Sequence, residues 1–242
     1  MTGTDRRVDV VPSPNIWHWP AVYEVENRAQ DAGGAIWQAL RERCDWTGLD
    51  VVDVGCGDGF HLPVFAATAR SVTGVEPHAP LVRRAERRMA GVSHVRLVTG
   101  GAQRLPLLSD SADLVHARTA YFFGRGCEAG LAEADRVLRP GGALAIVDLD
   151  ATCPPYGDWM LADLPDYDAD DVDRFFAEQG FECCRVRTVW RFADRADLVA
   201  VLRIEFSARV AERALAATPG VTVPVGYRVH VRRKPTGLVL PG

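Results

Sequence analysis

The chain has an apolar run that ends in a glycine-rich turn, and this combination restricts the folds open to it. The run and the turn read Val51-Val52-Asp53-Val54-Gly55-Cys56-Gly57-Asp58-Gly59-Phe60. A second apolar run ends in a single acid, Glu76, 17 residues beyond Gly59. Glycines admit a ligand close to the backbone, and an acid at the end of the next strand accepts hydrogen bonds from a ribose diol. The pattern therefore predicts a nucleoside site on a fold of alternating strands and helices.

The spacing of the glycines argues against a dinucleotide as the ligand. A dinucleotide-binding turn reads G-x-G-x-x-G, so that the pyrophosphate sits on a helix N-terminus. Here the third glycine comes one residue early, and Phe60 occupies its place. The expected ligand therefore has no pyrophosphate, which sets aside a nicotinamide dinucleotide.

Length and composition restrict the class of protein further. The 242 residues, 48% of them hydrophobic, predict a flexible segment 1–14 followed by a single domain over residues 15–242. A net charge of −4 gives no sign of a nucleic-acid surface. We find no apolar run of about 18 residues and no signal-peptide core, so we expect a cytoplasmic protein without membrane contact. The six cysteines form no C-x-x-C pair, which favours reduced thiols and no metal.

Strand and helix patterns alternate along the chain. The predicted strands are Val51–Gly55, Ser71–Glu76, Val95–Thr99, Asp113–Ala117, Ala143–Asp148, Phe181–Phe192 and Val221–Arg232. The predicted helices are Ala21–Arg43, Phe60–Ala69, Ala79–Ala90, Glu128–Leu138, Asp170–Gln179 and, as one or two helices, Arg195–Ala217. Gly33-Gly34 is a weak point of the first helix, and Arg139-Pro140-Gly141-Gly142 should end the fourth. This alternation predicts a doubly wound, mostly parallel sheet, whose ligands bind beyond the carboxyl ends of the strands.

Four features in order resemble the class I S-adenosylmethionine methyltransferases, in particular the methyltransferase-type-11 branch. They are the glycine turn, Glu76, the segment 100–106 followed by 110–115, and the segment 137–142, and together they cover about residues 45–150. Segments 14–27 and 156–176 are also similar to actinobacterial members of that branch. The resemblance implies a Rossmann-like, seven-stranded sheet with an antiparallel last strand. It also implies S-adenosylmethionine as cofactor and a small organic molecule that is methylated on oxygen, nitrogen or carbon.

The resemblance assigns cofactor contacts residue by residue. The residues concerned are Asp53, Gly55, Cys56, Gly57, Glu76, Pro77, Gly101, Ala102, Gln103, Ala117 and Arg118. Glu76 would take both ribose hydroxyls, and the backbone N–H of Ala102 would bind the adenine. The chain departs from the family pattern at Gly101. Many relatives have an Asp at this position, and its carboxylate accepts a hydrogen bond from the adenine amino group. Gln103 is the candidate to replace it.

Residue type and predicted position also indicate candidates for catalysis and for acceptor binding. Candidates for a general base are His116, Tyr23 and Tyr121, in that order; an amine acceptor would need none. Candidates for acceptor contact are Trp17, Trp19, Arg118, Phe122, Tyr156 and Trp159. Arg118 would suit a carboxylate. The tryptophans either attach the N-terminal helix to the core or close over the cofactor, and Phe122 either packs in the core or forms a wall of the site.

The region before the last strand is longer than the short turn that the resemblance implies. Residues 193–220 are expected to form a helical cap, which would close the site together with loop 152–165 and segment 17–23 of an N-terminal lid, residues 15–46. The same helix would also suit a dimer interface, so both a monomer and a homodimer stay open. Two other functions also stay open: a non-methylating enzyme of cyclase or pericyclase type that binds the same cofactor, and a non-catalytic binding module.

Overall fold

The computed structural model describes residues 13–237, so most of the segment predicted to be flexible lies outside the described residues. The strands are β1 Asp50–Val54, β2 Ser71–Glu76, β3 Val95–Thr99, β4 Ala112–Arg118, β5 Leu138–Leu149, β6 Glu182–Arg191 and β7 Thr222–Arg233. The helices are α1 Pro14–His18, α2 Pro20–Ala29, α3 Ala35–Cys44, α4 Leu62–Ala66, α5 Ala79–Arg88, α6 Glu128–Val137, α7 Tyr156–Asp163, α8 Ala169–Glu178, α9 Arg195–Glu205 and α10 Ala208–Ala217.

The seven strands form one mixed sheet in the order β3-β2-β1-β4-β5-β7-β6. Strands β1 to β5 pair in parallel, and β7 is antiparallel to both of its neighbours, β5 and β6. The predicted Rossmann-like sheet with an antiparallel last strand is confirmed. Since β7 lies between β5 and β6, β6 keeps the direction of β5 but pairs only with the antiparallel β7 among the described strands.

The N-terminal helix breaks where the glycine pair predicted a weak point. Helices α2 and α3 are separated by Gly34, whose φ of +72° a right-handed helix cannot accommodate. Asp31 supports the break, since its carboxylate accepts a hydrogen bond of 2.9 Å from the backbone N–H of Ile36. Instead of the single helix expected over 21–43, the chain therefore forms two helices, which residues 30–34 connect.

Three other predicted boundaries were wrong. The segment 139–142 is not a turn between helix and strand, because β5 already begins at Leu138 and shifts its register against β4. Gly141 and Gly142 there exchange backbone hydrogen bonds with Lys234. The helix expected over 60–69 shortens to α4, and the loop expected over 152–165 contains helix α7.

Each face of the sheet carries its own apolar core, because successive side chains of a strand point to opposite faces. On β4, Leu114 belongs to the core under α3, α9 and α10, whereas Val115 and Ala117 belong to the core under α6 and α8. His116 and Arg118 alternate with those two and so share the face of Leu114. None of the helices within residues 13–237 has the length and apolar character to span a bilayer.

Candidate functional site

A cavity of about 290 Å³ opens beyond the carboxyl ends of β1, β2 and β4. This is the switch point of the sheet, since the chain runs to one side from β1 to β3 and to the other side from β4 onwards. The predicted residues that line the cavity are Trp17, Tyr23, Gly55, Cys56, Gly57, Glu76, Pro77, Gly101, Ala102, Gln103, Arg118 and Tyr121.

The glycine turn forms one wall of this cavity and requires glycine for two reasons. Gly55 and Gly57 have φ angles of +71° and +56°, which other residues rarely adopt. A Cβ at Gly55 would lie 2.5 Å from the Cβ of Ala120, and a Cβ at Gly57 would lie 2.8 Å from Cδ1 of Ile16. Both conformation and space therefore require glycine at these two positions of the wall.

Glu76 ties the glycine turn to the end of β2. Its carboxylate accepts hydrogen bonds from the backbone N–H groups of Gly57 at 3.1 Å and His78 at 2.9 Å, one on each oxygen. Burial raises the pKa of Glu76, and the two N–H donors oppose that rise. Each oxygen keeps a second lone pair, so the carboxylate can still accept from a hydroxyl in the cavity.

His116, the first candidate for a general base, does not line the cavity. The side chain is fully buried, and its Nδ1 lies 2.7 Å from Oδ1 of Asp53. Its ring packs against Phe65 and Trp37. The strand alternation of β4 turns His116 into the core, so the structure removes it from reach of an acceptor. Asp53, expected to contact the cofactor, does not line the cavity either, and its carboxylate pairs with this histidine instead.

The two tyrosines among the base candidates do line the cavity. Burial raises the pKa of Tyr23 well above its usual 10.0, and the nearby carboxyls of Glu26 and Glu205 raise it further. Burial also raises the pKa of Tyr121. Both phenols therefore stay protonated at neutral pH and can donate a hydrogen bond rather than remove a proton. His61 lines the cavity as well, and burial lowers its pKa well below 6.5, so this imidazole is neutral.

Trp17 and Trp19 have different environments. Trp17 lines the cavity and stacks on His78, with ring centroids 4.5 Å apart. Trp19 is 57% exposed and is not part of the cavity wall. Ala117 and Phe122, expected to contact cofactor and acceptor, are instead buried in the core beneath α6 and α8, because their positions on and after β4 point them into that face.

Tyr156 and Trp159, also expected to contact the acceptor, lie behind the cavity wall. Their rings pack against Phe206. The cap prediction needs the same correction, since neither α7 nor helices α9 and α10 contribute a residue to the cavity wall. Instead, α7 packs on β7, α9 packs on α2, and α10 packs on α7 and α9. Of the three segments expected to close the site, only the N-terminal one lines it.

A polar network behind the wall was missed by the sequence analysis. Arg118 donates from Nη2 to Oε1 of Gln30 at 2.7 Å, and Gln30 donates from Nε2 to Oε1 of Glu26 at 2.8 Å. Burial, and after it the adjacent Glu205, raise the pKa of Glu26 well above its usual 4.5, so this acid stays neutral. The spacing of Tyr23, Gln30 and the cavity-lining Asn27 along one helical face was the available signal.

Glu205 connects this network to three other helices. Its carboxylate accepts from Nδ2 of Asn15 at 2.5 Å and from the hydroxyl of Tyr156 at 2.7 Å. With Glu26 beside it, Glu205 joins α1, α2, α7 and α9 at one buried point, which we call the carboxyl hub: Asn15, Glu26, Tyr156 and Glu205.

One cluster outside the cavity has atoms of the type that bind metals. Asp173, Cys183 and His230 each offer one such atom, and these atoms lie within 4.8 Å of one another. However, Asp173 already forms ion pairs with Arg185 and Arg228. The carboxylate that a metal would need is therefore already paired with two guanidinium groups, and we assign no metal to this cluster.

The comparisons with known proteins agree with this geometry. The family model described as a methyltransferase domain, Methyltransf_11, matches residues 52–146, which hold the glycine turn, Glu76, strands β2 to β4 and most of β1. Over these residues the chain is similar to a methyltransferase domain. The ubiquinone/menaquinone biosynthesis C-methyltransferase UbiE of Rubrivivax gelatinosus is 27% identical to it over 160 residues, 59% of this chain and 62% of UbiE. The alignments span only about a third to three fifths of the first curated relatives.

Solved structures extend the likeness of the methyltransferase domain to most of the chain. The YcgJ protein of Bacillus subtilis superposes with a TM-score of 0.60 at 17% identity, covering 83% of this chain and 98% of YcgJ. The [4+2]-cyclase SpnF superposes with a TM-score of 0.54 at 22% identity, covering 84% of this chain and 81% of SpnF. At these identities the likeness shows the shared fold.

The residues around the cavity of the methyltransferase domain fit S-adenosylmethionine, the cofactor of this family. Gly55 and Gly57 line the cavity with backbone alone, so a ligand can approach the main chain closely at both positions. The buried Glu76 carboxylate keeps lone pairs for a ribose diol beside them. Pro77 and Ala102, on the wall next to it, supply apolar surface for a purine.

Proposed function

We propose that this protein is an S-adenosylmethionine-dependent methyltransferase that acts on a small organic acceptor. The observation that carries the proposal is the hydrogen bond from the Gly57 N–H to the Glu76 carboxylate on the wall of the cavity. It joins the side-chain-free turn and the diol-binding acid into one surface for a nucleoside. The family match over residues 52–146 supports the same function.

The bound cofactor would supply an electrophilic methyl group on its sulfonium. The protein would bind, align and desolvate the reactants, which accounts for a large part of the rate enhancement of a direct displacement. Tyr23 and Tyr121 would orient the acceptor as hydrogen-bond donors, because their raised pKa values keep them protonated. With His116 enclosed in the core, we propose that the reaction depends on alignment, and that an acceptor with a free lone pair suits it best.

The lining of the cavity supports a small acceptor. Trp17, Tyr23, Phe60 and Tyr121 line it together with the residues assigned to the cofactor, and their rings suit a compact, partly aromatic molecule. A nucleic-acid acceptor would instead require an open basic surface, which the net charge of −4 does not favour. The cytoplasmic location and the choice between monomer and homodimer stay predictions.

Calorimetric titration with S-adenosylhomocysteine tests the cofactor site. We expect micromolar binding by the wild type and at least tenfold weaker binding by Glu76→Gln, because the amide loses one acceptor for the diol and for the N–H groups of Gly57 and His78. Glu86→Gln, which changes an exposed acid on α5, is the matched control. A wild type that does not bind, or a Glu76 variant that binds equally well, contradicts the proposal. Product masses from incubation with S-adenosylmethionine then separate methyl transfer, which adds a methyl group, from cyclisation.

A further inference from the structure

Arg118 is a buried cation on the wall of the cavity. Its side chain is only 7% exposed, and it lines the cavity at the end of β4. Its Nη2 donates to Gln30, but within residues 13–237 its Nε and Nη1 are enclosed and have no hydrogen-bond partner. A buried guanidinium with unused donors is costly unless something satisfies it.

Within residues 13–237, no carboxylate lies at ion-pair distance from Arg118. Its guanidinium donates to Gln30, a neutral amide, and also interacts with the Tyr227 hydroxyl. The acid beyond Gln30 is Glu26, which stays protonated. Glu205 lies one step further along the network. Arg228 shows the usual arrangement: it is 1% exposed and has Asp148 at 3.7 Å and Asp173 at 3.3 Å. Among the described residues, Arg118 has no such pair.

Aromatic rings fix the position of Arg118 without neutralising its charge. Its Cζ lies 5.7 Å from the ring centre of Trp37 and 5.4 Å from that of Tyr227. The Tyr227 hydroxyl accepts from Trp190 Nε1 at 2.9 Å. Burial raises the pKa of Tyr227, and Arg118 lowers it, so this neighbour is a neutral phenol. The rings and Gln30 hold the guanidinium in place at the cavity wall, so an anion bound in the cavity would lie beside it.

We propose that Arg118 binds a carboxylate group of a ligand in this cavity. One guanidinium matches the single charge of a carboxylate, and Tyr23 and Asn27, which line the same cavity, offer uncharged donors beside it. Two ligands could bring the carboxylate: the methionine end of the cofactor, in which case the inference rests on the proposed function, or the acceptor.

Two binding experiments separate these sources. The first compares S-adenosylhomocysteine with its decarboxylated analogue by calorimetry. The second titrates the protein, with and without S-adenosylhomocysteine, with acetate and benzoate against acetamide and benzamide, which match them in shape but carry no charge. If the cofactor brings the carboxylate, the wild type prefers S-adenosylhomocysteine at least tenfold. If the acceptor brings it, the cofactor-bound wild type prefers the free carboxylates to the amides by a similar factor.

Three variants assign the preference to Arg118. Arg118→Met should abolish it while leaving the ligand-free protein as stable as the wild type or more so, because an uncompensated buried cation is replaced by an apolar chain. Gln30→Glu keeps Arg118 but gives it an internal carboxylate, so it should also abolish the preference. Arg187→Met, at an exposed position on β6, should retain it.

These outcomes decide the proposal even if the cofactor assignment fails, since acetate and benzoate bind independently of it. A wild type with no carboxylate preference in either experiment overturns the proposal. A preference that survives both Arg118→Met and Gln30→Glu also overturns it. Reduced stability of Arg118→Met with an unchanged preference would give Arg118 a purely structural role.

Discussion

Asp53 on β1 and His116 on β4 occupy paired positions of the parallel sheet, and their side chains meet, with Oδ1 and Nδ1 2.7 Å apart. Gly55 follows Asp53 by two residues, and Arg118 follows His116 by two residues. The buried pair therefore fixes the relative height of two walls of the cavity, the glycine turn and the end of β4. It acts as a support for the site rather than as part of its chemistry.

Removing this contact should lower stability in a non-additive way. We expect Asp53→Asn and His116→Gln each to reduce the free energy of unfolding by about 1–3 kcal/mol, because each leaves a buried polar partner poorly satisfied. The double variant should cost clearly less than the sum of the two. Urea unfolding of all four proteins measures the coupling. Strict additivity would show that the two side chains do not depend on each other.

Gly55→Ala tests whether the glycine turn is limited by space as well as by conformation. Gly48 is a matched control, because it has the same φ of +71° but no atom within 4 Å of an added Cβ. Gly48→Ala should cost about 1–2 kcal/mol for its left-handed conformation. Gly55→Ala should cost more and weaken binding of S-adenosylhomocysteine, since its Cβ would meet Ala120 at 2.5 Å. Adding Ala120→Gly should recover part of the loss; equal costs at both glycines would refute the steric argument.

Glu26→Gln should change how stability depends on pH. Burial, followed by the neighbouring Glu205, raises the pKa of Glu26 well above 4.5 in the folded protein. Above pH 4.5 the unfolded chain loses this proton while the folded chain keeps it, so Glu26 lowers wild-type stability by up to about 1.4 kcal/mol per pH unit until the folded group also ionises. Gln, which is neutral at every pH, should abolish this part of the decline. Parallel pH profiles of the two proteins, measured by urea unfolding, would contradict the assignment.

Trp17 and Trp19 offer a matched test of the N-terminal lid. Trp17 lines the cavity and stacks on His78, whereas Trp19 is 57% exposed outside it. Trp17→Ala should weaken binding of S-adenosylhomocysteine about tenfold, as expected for the loss of a large aromatic contact with a ligand. Trp19→Ala should leave the dissociation constant unchanged. Equal effects of the two substitutions would show that Trp17 has no direct role in binding.

The sequence was sufficient for the parts of the fold that depend on local pattern. Strands β2 and β3 match their predicted bounds, because short apolar runs with turn residues on both sides leave little choice. Helix α7 was not predicted, although Pro155 lies directly before it and proline is common where a helix begins. Pattern shows that a helix face is buried but not what it is buried against, so α9 and α10 were expected over the cavity rather than behind it.

The residues of the candidate site also fall into those that the sequence could predict and those that it could not. Gly55, Gly57 and Glu76 could be selected because their spacing along the chain reflects one compact turn and one strand end. The network of Arg118, Gln30 and Glu26 could not, since its members come from β4 and α2 and meet only through packing. The missing counter-ion of Arg118 is a property of three-dimensional neighbours and leaves no trace in the order of residues.

The carboxyl hub limits which helices can be exchanged between this protein and its relatives. Its four residues come from four separate helices: Asn15 and Tyr156 both donate to the Glu205 carboxylate, and Glu26 lies beside it. Exchanging one of these helices for that of a relative would leave a buried acid, amide or phenol without its partner. A chimera that changes acceptor preference should therefore carry α1, α2, α7 and α9 as one unit, and these helices should change together when related enzymes diverge.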